Sequence, residues 1–410
     1  MKTKLFFLKG ISIVCLSIFL SLFNCGSDVD VQTVEMPPPL TDVLTFEFSF
    51  GDEKTITKDE FLLAGPLYGP YVNNDNDIFV PDETRIKVYD RTGKPKMIIG
   101  GPGQGPGEFS WISGITFNDL GLMTVIGRND YHIFSPEYKF IKRLRYLYSD
   151  WYNPVIKESG YFMDGVTYVY SLDYDRRIIV PRGRKLYTET PGARFHTIIF
   201  ETPDSVNVIT EFTMAEYIEV DRFLTYPAEL GWIMFDMLPG NRLVYTYFIA
   251  NEPDNIQDSQ YILHVIDLDS GKKTEISHTY TPHPITKAPT QTYEDKLENP
   301  DTSEEDKRSC RKMISKIKDR FKDIPYYIPL RRIKTDNNYI FAFTFFTGDS
   351  TEILADIFDG DTGNYLRSAF FTFIPEIIKN GYAYKYNDWR ENNEFPLVEK
   401  YKIDPAVYGK

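Results

Sequence analysis

Apolar and polar residues alternate along much of this chain with the two-residue period of half-buried β-strands. Leu44-Thr-Phe-Glu-Phe-Ser-Phe50 alternates from end to end. Ile78–Val80 and Arg85–Asp90 are two more short runs, parted by a polar turn. In the second, Ile86 and Val88 fall on one face, Lys87 and Tyr89 on the other. The run ends at Asp90-Arg-Thr-Gly93, a tight-turn sequence. The order strand, polar turn, strand, tight turn returns at Leu122–Lys139. Its terminal hairpin returns again at Ile199–Val206, Val265–Lys272 and Ile357–Asn364.

The five landmarks, near 90, 135, 203, 267 and 359, are about 45, 68, 64 and 92 residues apart. A β-propeller blade takes roughly 40–50 residues, so five hairpins predict five blades, with insertions in the longer gaps. Tyr382–Tyr386, Val398–Ile403 and Leu44–Phe50 supply a sixth. Joining N- and C-terminal strands in that blade closes the ring and hides its sheet edges. The expected fold is all-β: a six-bladed β-propeller over residues 43–410, preferred to a decorated open β-sandwich because the units recur in order.

Residues 290–324 break the β pattern. Thr302-Ser-Glu-Glu305 offers a helix capping box. Apolar residues then fall at 310, 313, 314, 317, 321 and 324, a helical stripe. Lys307, Arg308, Arg311, Lys312, Lys316, Lys318, Arg320 and Lys322 gather away from it. That face is either a docking surface for a partner, an anionic glycan or membrane headgroups, or the solvated side of an insertion packed on the rim. The second reading is favoured. Cys310, on the stripe, reads as a small buried residue.

The N-terminus reads as an export signal. Lys2, Lys4 and Lys9 precede an apolar run of 14 residues, Gly10–Phe23. That is short of the roughly 20 needed to span a bilayer and fits a secretory signal. Leu22-Phe-Asn-Cys25 resembles a bacterial lipobox, with Phe23 and Asn24 where the pattern has small residues. The resemblance implies removal of residues 1–24 and lipid on Cys25. Residues 25–42, with Pro37-Pro38-Pro39, then form a lipidated tether. Its 17 residues after Cys25 reach at most about 55 Å. Gly26, rather than Asp, after the lipidated Cys points to the outer membrane.

Asp82-Glu-Thr-Arg-Ile-Lys-Val-Tyr-Asp90 resembles the core of an NHL repeat, and Gly100-Gly-Pro-Gly-Gln-Gly-Pro-Gly-Glu-Phe109 resembles the glycine-rich link between NHL blades. The chain is similar to six-bladed β-propeller lipoproteins of the bacterial cell envelope, specifically over about 75–140. The resemblance implies the fold and an envelope location, and no reaction.

Composition narrows the function further. The 410 residues carry a formal net charge of −13, or about −16 without the three signal lysines. That argues against nucleic-acid binding, which needs basic stripes. The 29 Tyr and 30 Phe are accounted for by strands. Of Cys15, Cys25 and Cys310, only Cys310 would remain as a thiol, so no intramolecular disulfide supports the mature domain. The histidines (His132, His196, His264, His278, His283) lack metal-ligand spacing.

The 100–109 glycines could cradle phosphate, but no Gly-Lys-Ser/Thr follows and two prolines remove donors, so an inter-blade turn is expected. Asp267-Leu-Asp-Ser-Gly271 and Asp359-Gly-Asp-Thr-Gly363 resemble calcium loops, yet His278 and Phe370 stand where the closing glutamate belongs, so hairpin turns are expected. Asp204, Asp236 and Glu252 are acids that nothing singles out. Trp151, Tyr152, Arg182, Arg184, Trp232 and Trp389 are candidates to line the channel mouth. The expected function is non-enzymatic: a monomeric binding or scaffold module for a protein, peptide or glycan, without cofactor or metal. The rival is a lactonase-like hydrolase or lyase holding a metal ion in the channel.

Overall fold

The structure, a computed structural model, describes residues 37–64, 69–127, 130–145, 161–185, 194–213, 218–221, 223–225, 233–248, 259–345, 352–387 and 395–410. The expected signal and Cys25 lie outside them. Leu40, inside the stretch expected as tether, is bonded to the strand Tyr365–Phe371 of blade 5: its N–H donates to Ser368 O at 3.0 Å, and its carbonyl accepts from Phe370 N at 2.8 Å.

Strand β1 (Leu44–Phe50) comes first in the chain but belongs to the last sheet. Blade 1 is β2 (Tyr71–Val72), β3 (Ile78–Asp82), β4 (Arg85–Tyr89) and β5 (Pro95–Gly100); blade 2 is β6 (Gly114–Phe117), β7 (Met123–Ile126), β8 (Asp130–Phe134) and β9 (Phe140–Arg145). Blade 3 is β10 (Tyr161–Ser171), β11 (Arg177–Lys185), β12 (Arg194–Glu201) and β13 (Val206–Thr213). A hairpin follows, β14 (Ile218–Val220) and β15 (Phe223–Thr225). Blade 4 is β16 (Ile233–Leu238), β17 (Arg242–Tyr247), β18 (Gln260–Asp267) and β19 (Lys273–Thr279). Helices α1 (Gln291–Glu298) and α2 (Glu304–Phe321) precede blade 5, which is β20 (Leu330–Asp336), β21 (Tyr339–Thr344), β22 (Ile353–Asp359) and β23 (Tyr365–Phe371). Blade 6 runs β24 (Ile377–Lys379), β25 (Tyr382–Asn387), β26 (Leu397–Ile403), then β1. The chain is thus a six-bladed β-propeller closed by its own two ends. β1 pairs antiparallel with β26 from Leu44↔Ile403 to Phe50↔Val398.

The five sequence landmarks are one structural object, the turn from the third to the fourth strand of blades 1–5. At each, the first side chain accepts from a nearby backbone N–H: Asp90 from Thr92 (2.8 Å), Ser135 from Glu137 (3.2 Å), Thr202 from Ser205 (3.0 Å), Asp267 from Asp269 (3.0 Å) and Asp359 from Asp361 (2.9 Å). Short polar side chains recur there because they complete the turn. Blade 6 lacks this turn because its third-to-fourth step crosses the chain ends.

Alternation in β4 gave Lys87 and Tyr89 a separate face, and that face is buried too. A short helical turn, Asp59–Phe61, lies over it. Tyr89 donates to Phe61 O at 2.5 Å, and the Lys87 ammonium meets Asp82 at 2.5 Å and Leu62 O. The NHL-like residues therefore pin the link that leads from blade 6 into blade 1.

The helical insertion forms with a corrected start. Ser303, not Thr302, is the cap: its Oγ accepts from Asp306 N at 3.1 Å and donates to the Asp306 carboxylate at 2.8 Å. Cys310, Met313, Ile317 and Phe321 are buried among Val220, Leu263, Ile276 and Leu330. One core thus unites α2, the β14–β15 hairpin and blades 4 and 5. Each such side chain contributes about 1.5–3 kcal/mol by leaving water. The cations lie along the rest of the helix; Lys307 faces Glu304 and Lys312 faces Asp221, each at 3.5 Å. Among the described residues no helix is long and apolar enough to cross a membrane.

Candidate functional site

The innermost strands β2, β6, β10, β16, β20 and β24 surround a central channel. One end is belted by the turns that join first to second strands, joined at blades 4 and 5 by the third-to-fourth turns. Asn380 Nδ2 donates to Asn76 Oδ1 at 2.8 Å, joining blade 6 to blade 1. Asn74 Nδ2 donates to Asn118 O at 3.0 Å, and Asn118 Nδ2 to Ser171 O at 3.0 Å and Leu172 O at 2.9 Å. Arg176 pairs with Asp269. Arg242 donates to Asn338 Oδ1 at 2.7 Å and Gly360 O at 2.9 Å. Asp336 accepts from the N–H groups of Asn380 (2.6 Å) and Gly381 (2.8 Å). Every blade junction is bridged. Asp119 also accepts from Gly240 N at 2.7 Å, reaching from blade 2 to blade 4.

Two cavities follow one another along the channel. The smaller, about 210 Å³, adjoins the belt and includes Asp119, Leu238 and Asn337. The larger, about 720 Å³, lies toward the other end and includes Phe235, Ile328, Arg331, Arg332 and Phe345. Both are lined by Pro70, Tyr71, Tyr168, Asp236, Lys334 and Glu376, which form the waist between them.

The waist is chemically distinct. Lys334 donates its ammonium to Glu376 O. Asp236 accepts from Met237 N and Thr335 N, both at 2.9 Å, and Thr335 Oγ1 donates to Met237 O at 2.8 Å, so blades 4 and 5 are tied beside the two charges. Burial lifts the Asp236 carboxyl above its usual value, against the attraction of Lys334 and the two N–H donors. Burial lowers the Lys334 ammonium and Arg332 adds to this, while Asp236 and Glu376 oppose it. The Tyr168 phenol is raised by burial and by the Asp236 charge. Its ring packs edge-on against Phe235 at 4.9 Å. The arrangement offers a fixed donor and a fixed acceptor to a polar ligand.

A metal ion fits this waist poorly. Lys334 places a cation in the same lining as Asp236 and Glu376 and feels both charges, and like charges in one site repel. Among the described residues no three His, Cys, Asp or Glu side chains converge as a metal site. The calcium-like loops are turns: Asp267 Oδ1 accepts from Ser270 N at 2.7 Å, and that bond leads the effects that hold its carboxyl below the usual range. The 100–109 loop links β5 to β6. The Glu108 carboxylate accepts from Gly105 N at 2.8 Å, taking the place an anion would need. At Gly100, with φ 78°, a Cβ would lie 2.3 Å from Phe109, so only glycine serves there.

Trp151, Tyr152, Trp232, Trp389 and Glu252 lie outside the described residues. Arg182 and Arg184 stand on β11, one strand out from the channel. Asp204 sits in the Thr202–Ser205 turn, away from the channel. Asp236, which the sequence left among many acids, is at the waist. Lys334, Glu376 and the pair Arg331-Arg332 were missed. For Lys334 and the two arginines the signal was cations within the apolar run Ile328-Pro-Leu-Arg-Arg-Ile-Lys334.

No family model matches the chain, and no curated protein sequence matches it. Among solved structures, similarity extends to a Bacteroides fragilis protein named only as exported, at 11% identity over 89% of this chain and 98% of that one, with a TM-score of 0.46. The β-propeller domain of the Trilobed protease from Pyrococcus furiosus aligns at 11% identity over 78% and 77%, TM-score 0.37. A gluconolactonase from Xanthomonas campestris aligns at 9% identity over 83% and 87%, TM-score 0.37.

Proposed function

We propose that this protein is a non-enzymatic, lipid-anchored envelope propeller that binds a ligand in the wide end of its channel. The reading is carried by the waist: Lys334, held against Glu376 O beside Asp236, supplies ligand-binding groups where a metal-dependent hydrolase would gather metal ligands. The chamber of about 720 Å³ falls within the roughly 300–1,000 Å³ usual for small-ligand sites. It therefore accepts a small molecule or the end of a larger one. Anchoring rests on the lipobox-like Leu22–Cys25 and the tether that follows.

Cys25→Ser tests the anchor. Radiolabelled palmitate should no longer enter the protein, and the protein should move from the membrane to the soluble fraction; unchanged membrane fractionation sinks the anchor. Asp236→Asn and Lys334→Met test the channel. Native mass spectrometry of the protein purified from its own cell extract should find a retained small ligand that either variant loses. Retention by both variants removes the channel reading.

A further inference from the structure

The chamber's most unusual feature is a pair of consecutive arginines. In a regular strand Arg331 and Arg332 would point to opposite faces. Here β20 has a bulge: Leu330 pairs with Thr344 and Arg332 with Phe343, leaving Arg331 as the extra residue. Bulges re-aim side chains, and both arginines line the same cavity. Both are exposed, and neither forms an ion pair among the described residues. That is unusual on a chain with net charge −13. Arg331 is also pre-positioned. Its guanidinium lies 5.3 Å from the centre of the Phe345 ring. The Phe345 ring is itself stacked on Tyr327 at 4.9 Å and 7°, and Tyr327 on His283 at 5.5 Å and 19°. A guanidinium held on a ring keeps its N–H edge available for an oxyanion at little entropic cost.

From this geometry we infer that the ligand is an acidic oligosaccharide whose carboxylate is received by Arg331 and Arg332. The inference rests on the channel-binding reading. Planar guanidinium groups match a carboxylate in two-bond geometry. Deeper in the chamber, Asp236, Lys334 and the phenols of Tyr71 and Tyr168 mix donors and acceptors. A hydroxyl both donates and accepts, so a polyhydroxylated body suits that mixture. Apolar peptide side chains would offer those groups no further hydrogen bond, whereas hydroxyls add to the ones already made.

The test is calorimetric titration of the full chain at low salt with trisaccharides of galacturonic, glucuronic and mannuronic acid, each beside its methyl ester. At least one acid should bind, and esterification should weaken it about 10-fold or more, the scale of a charge-assisted pair. Arg331→Gln/Arg332→Gln should bring the acid down to the level of the ester, and Arg332→Lys should restore part of the loss. Circular dichroism checks that these exposed variants fold. Equal binding of acid and ester, or unchanged binding by the double variant, overturns the inference while leaving channel binding intact. Arginine-dependent binding of triglutamate with no binding of any saccharide overturns the saccharide class. Saccharide binding that Asp236→Asn and Lys334→Met leave untouched removes the channel reading itself. Binding of no probe overturns the proposal.

Discussion

The side-chain amide of Asn380, in blade 6, donates to Asn76, in blade 1, at 2.8 Å. The two residues are 304 positions apart, at the junction where the ring closes. Both hold left-handed backbone, φ 52° and φ 66°. Two variants separate the bond from the backbone. Asn380→Gly keeps the conformation and should lose at least about 0.5–1.5 kcal/mol, the net value of one hydrogen bond, since it also removes the longer one accepted from Asn337 Nδ2 at 3.4 Å. Asn380→Ala should cost about 1 kcal/mol more, because a Cβ disfavours this backbone. Urea unfolding measures both. Equal stabilities would show that the turn carries no conformational demand.

The belt was hidden in the sequence although its residues are plain to see. Asn73-Asn-Asp-Asn76, Asn118-Asp119, Asn337-Asn338 and Asn380-Gly381 look like ordinary loop composition, and their shared role appears only when the ring brings them together. The opposite holds for Asp90, Asp267 and Asp359. Each completes a turn with residues two to four positions on, so local chemistry revealed five blades. Strands such as Tyr71–Val72 and Ile377–Lys379 are too short to display a period. They nonetheless line the channel, so its residues were the least legible. Arg331-Arg332 needed a bulge, which depends on the register against β21, for both side chains to share a cavity.

His278 supplies a pH prediction. Its ring stacks on Tyr365 at 4.5 Å, and its Nε2 lies 3.7 Å from Asp356, whose carboxylate already accepts from Tyr261 at 2.7 Å and Ser368 at 2.6 Å. Burial pushes the imidazole below its ordinary value of 6.5, and Asp356 only partly opposes this. The unfolded chain therefore binds the proton more readily than the native one. Stability is full above pH 6.5 and falls as pH drops below it, until the native imidazole also protonates. His278→Gln should flatten the dependence of Tm on pH between 7 and 5. An unchanged slope would place the titration elsewhere, with buried His132 the next group to replace.

The insertion should unfold with the propeller rather than before it. Cys310, Met313, Ile317 and Phe321 share one core with Leu263 and Leu330 of blades 4 and 5. Met313→Ala should cost about 2–5 kcal/mol, as for large-to-small changes in tight cores. Ser303→Ala, which removes the cap, should cost about 1 kcal/mol. Both should shift a single urea transition, seen alike by far- and near-ultraviolet circular dichroism. Two separated transitions would make α1 and α2 an independent unit.

At the waist, Lys334 and Asp236 should prove coupled. Lys334 helps keep the Asp236 carboxyl ionised, against a burial that raises it. Replacing Lys334 with Met fills similar space but removes that help, so the Asp236 carboxyl should titrate at still higher pH, as read by carbon NMR. The sign of the stability effect follows. A native carboxyl that titrates above its unfolded value of 3.8 binds more protons than the unfolded chain in that window, so stability falls as pH rises through it. Lys334→Met should therefore be most destabilised relative to the wild type above the raised value and recover toward pH 4. Asp236→Asn removes the titrating group, so adding it to Lys334→Met should abolish that pH dependence. The double variant should lose less stability than the two single losses combined, since each single change strands the other charge. Additive losses with a pH-independent Lys334→Met would mean that the two groups do not sense each other across the channel.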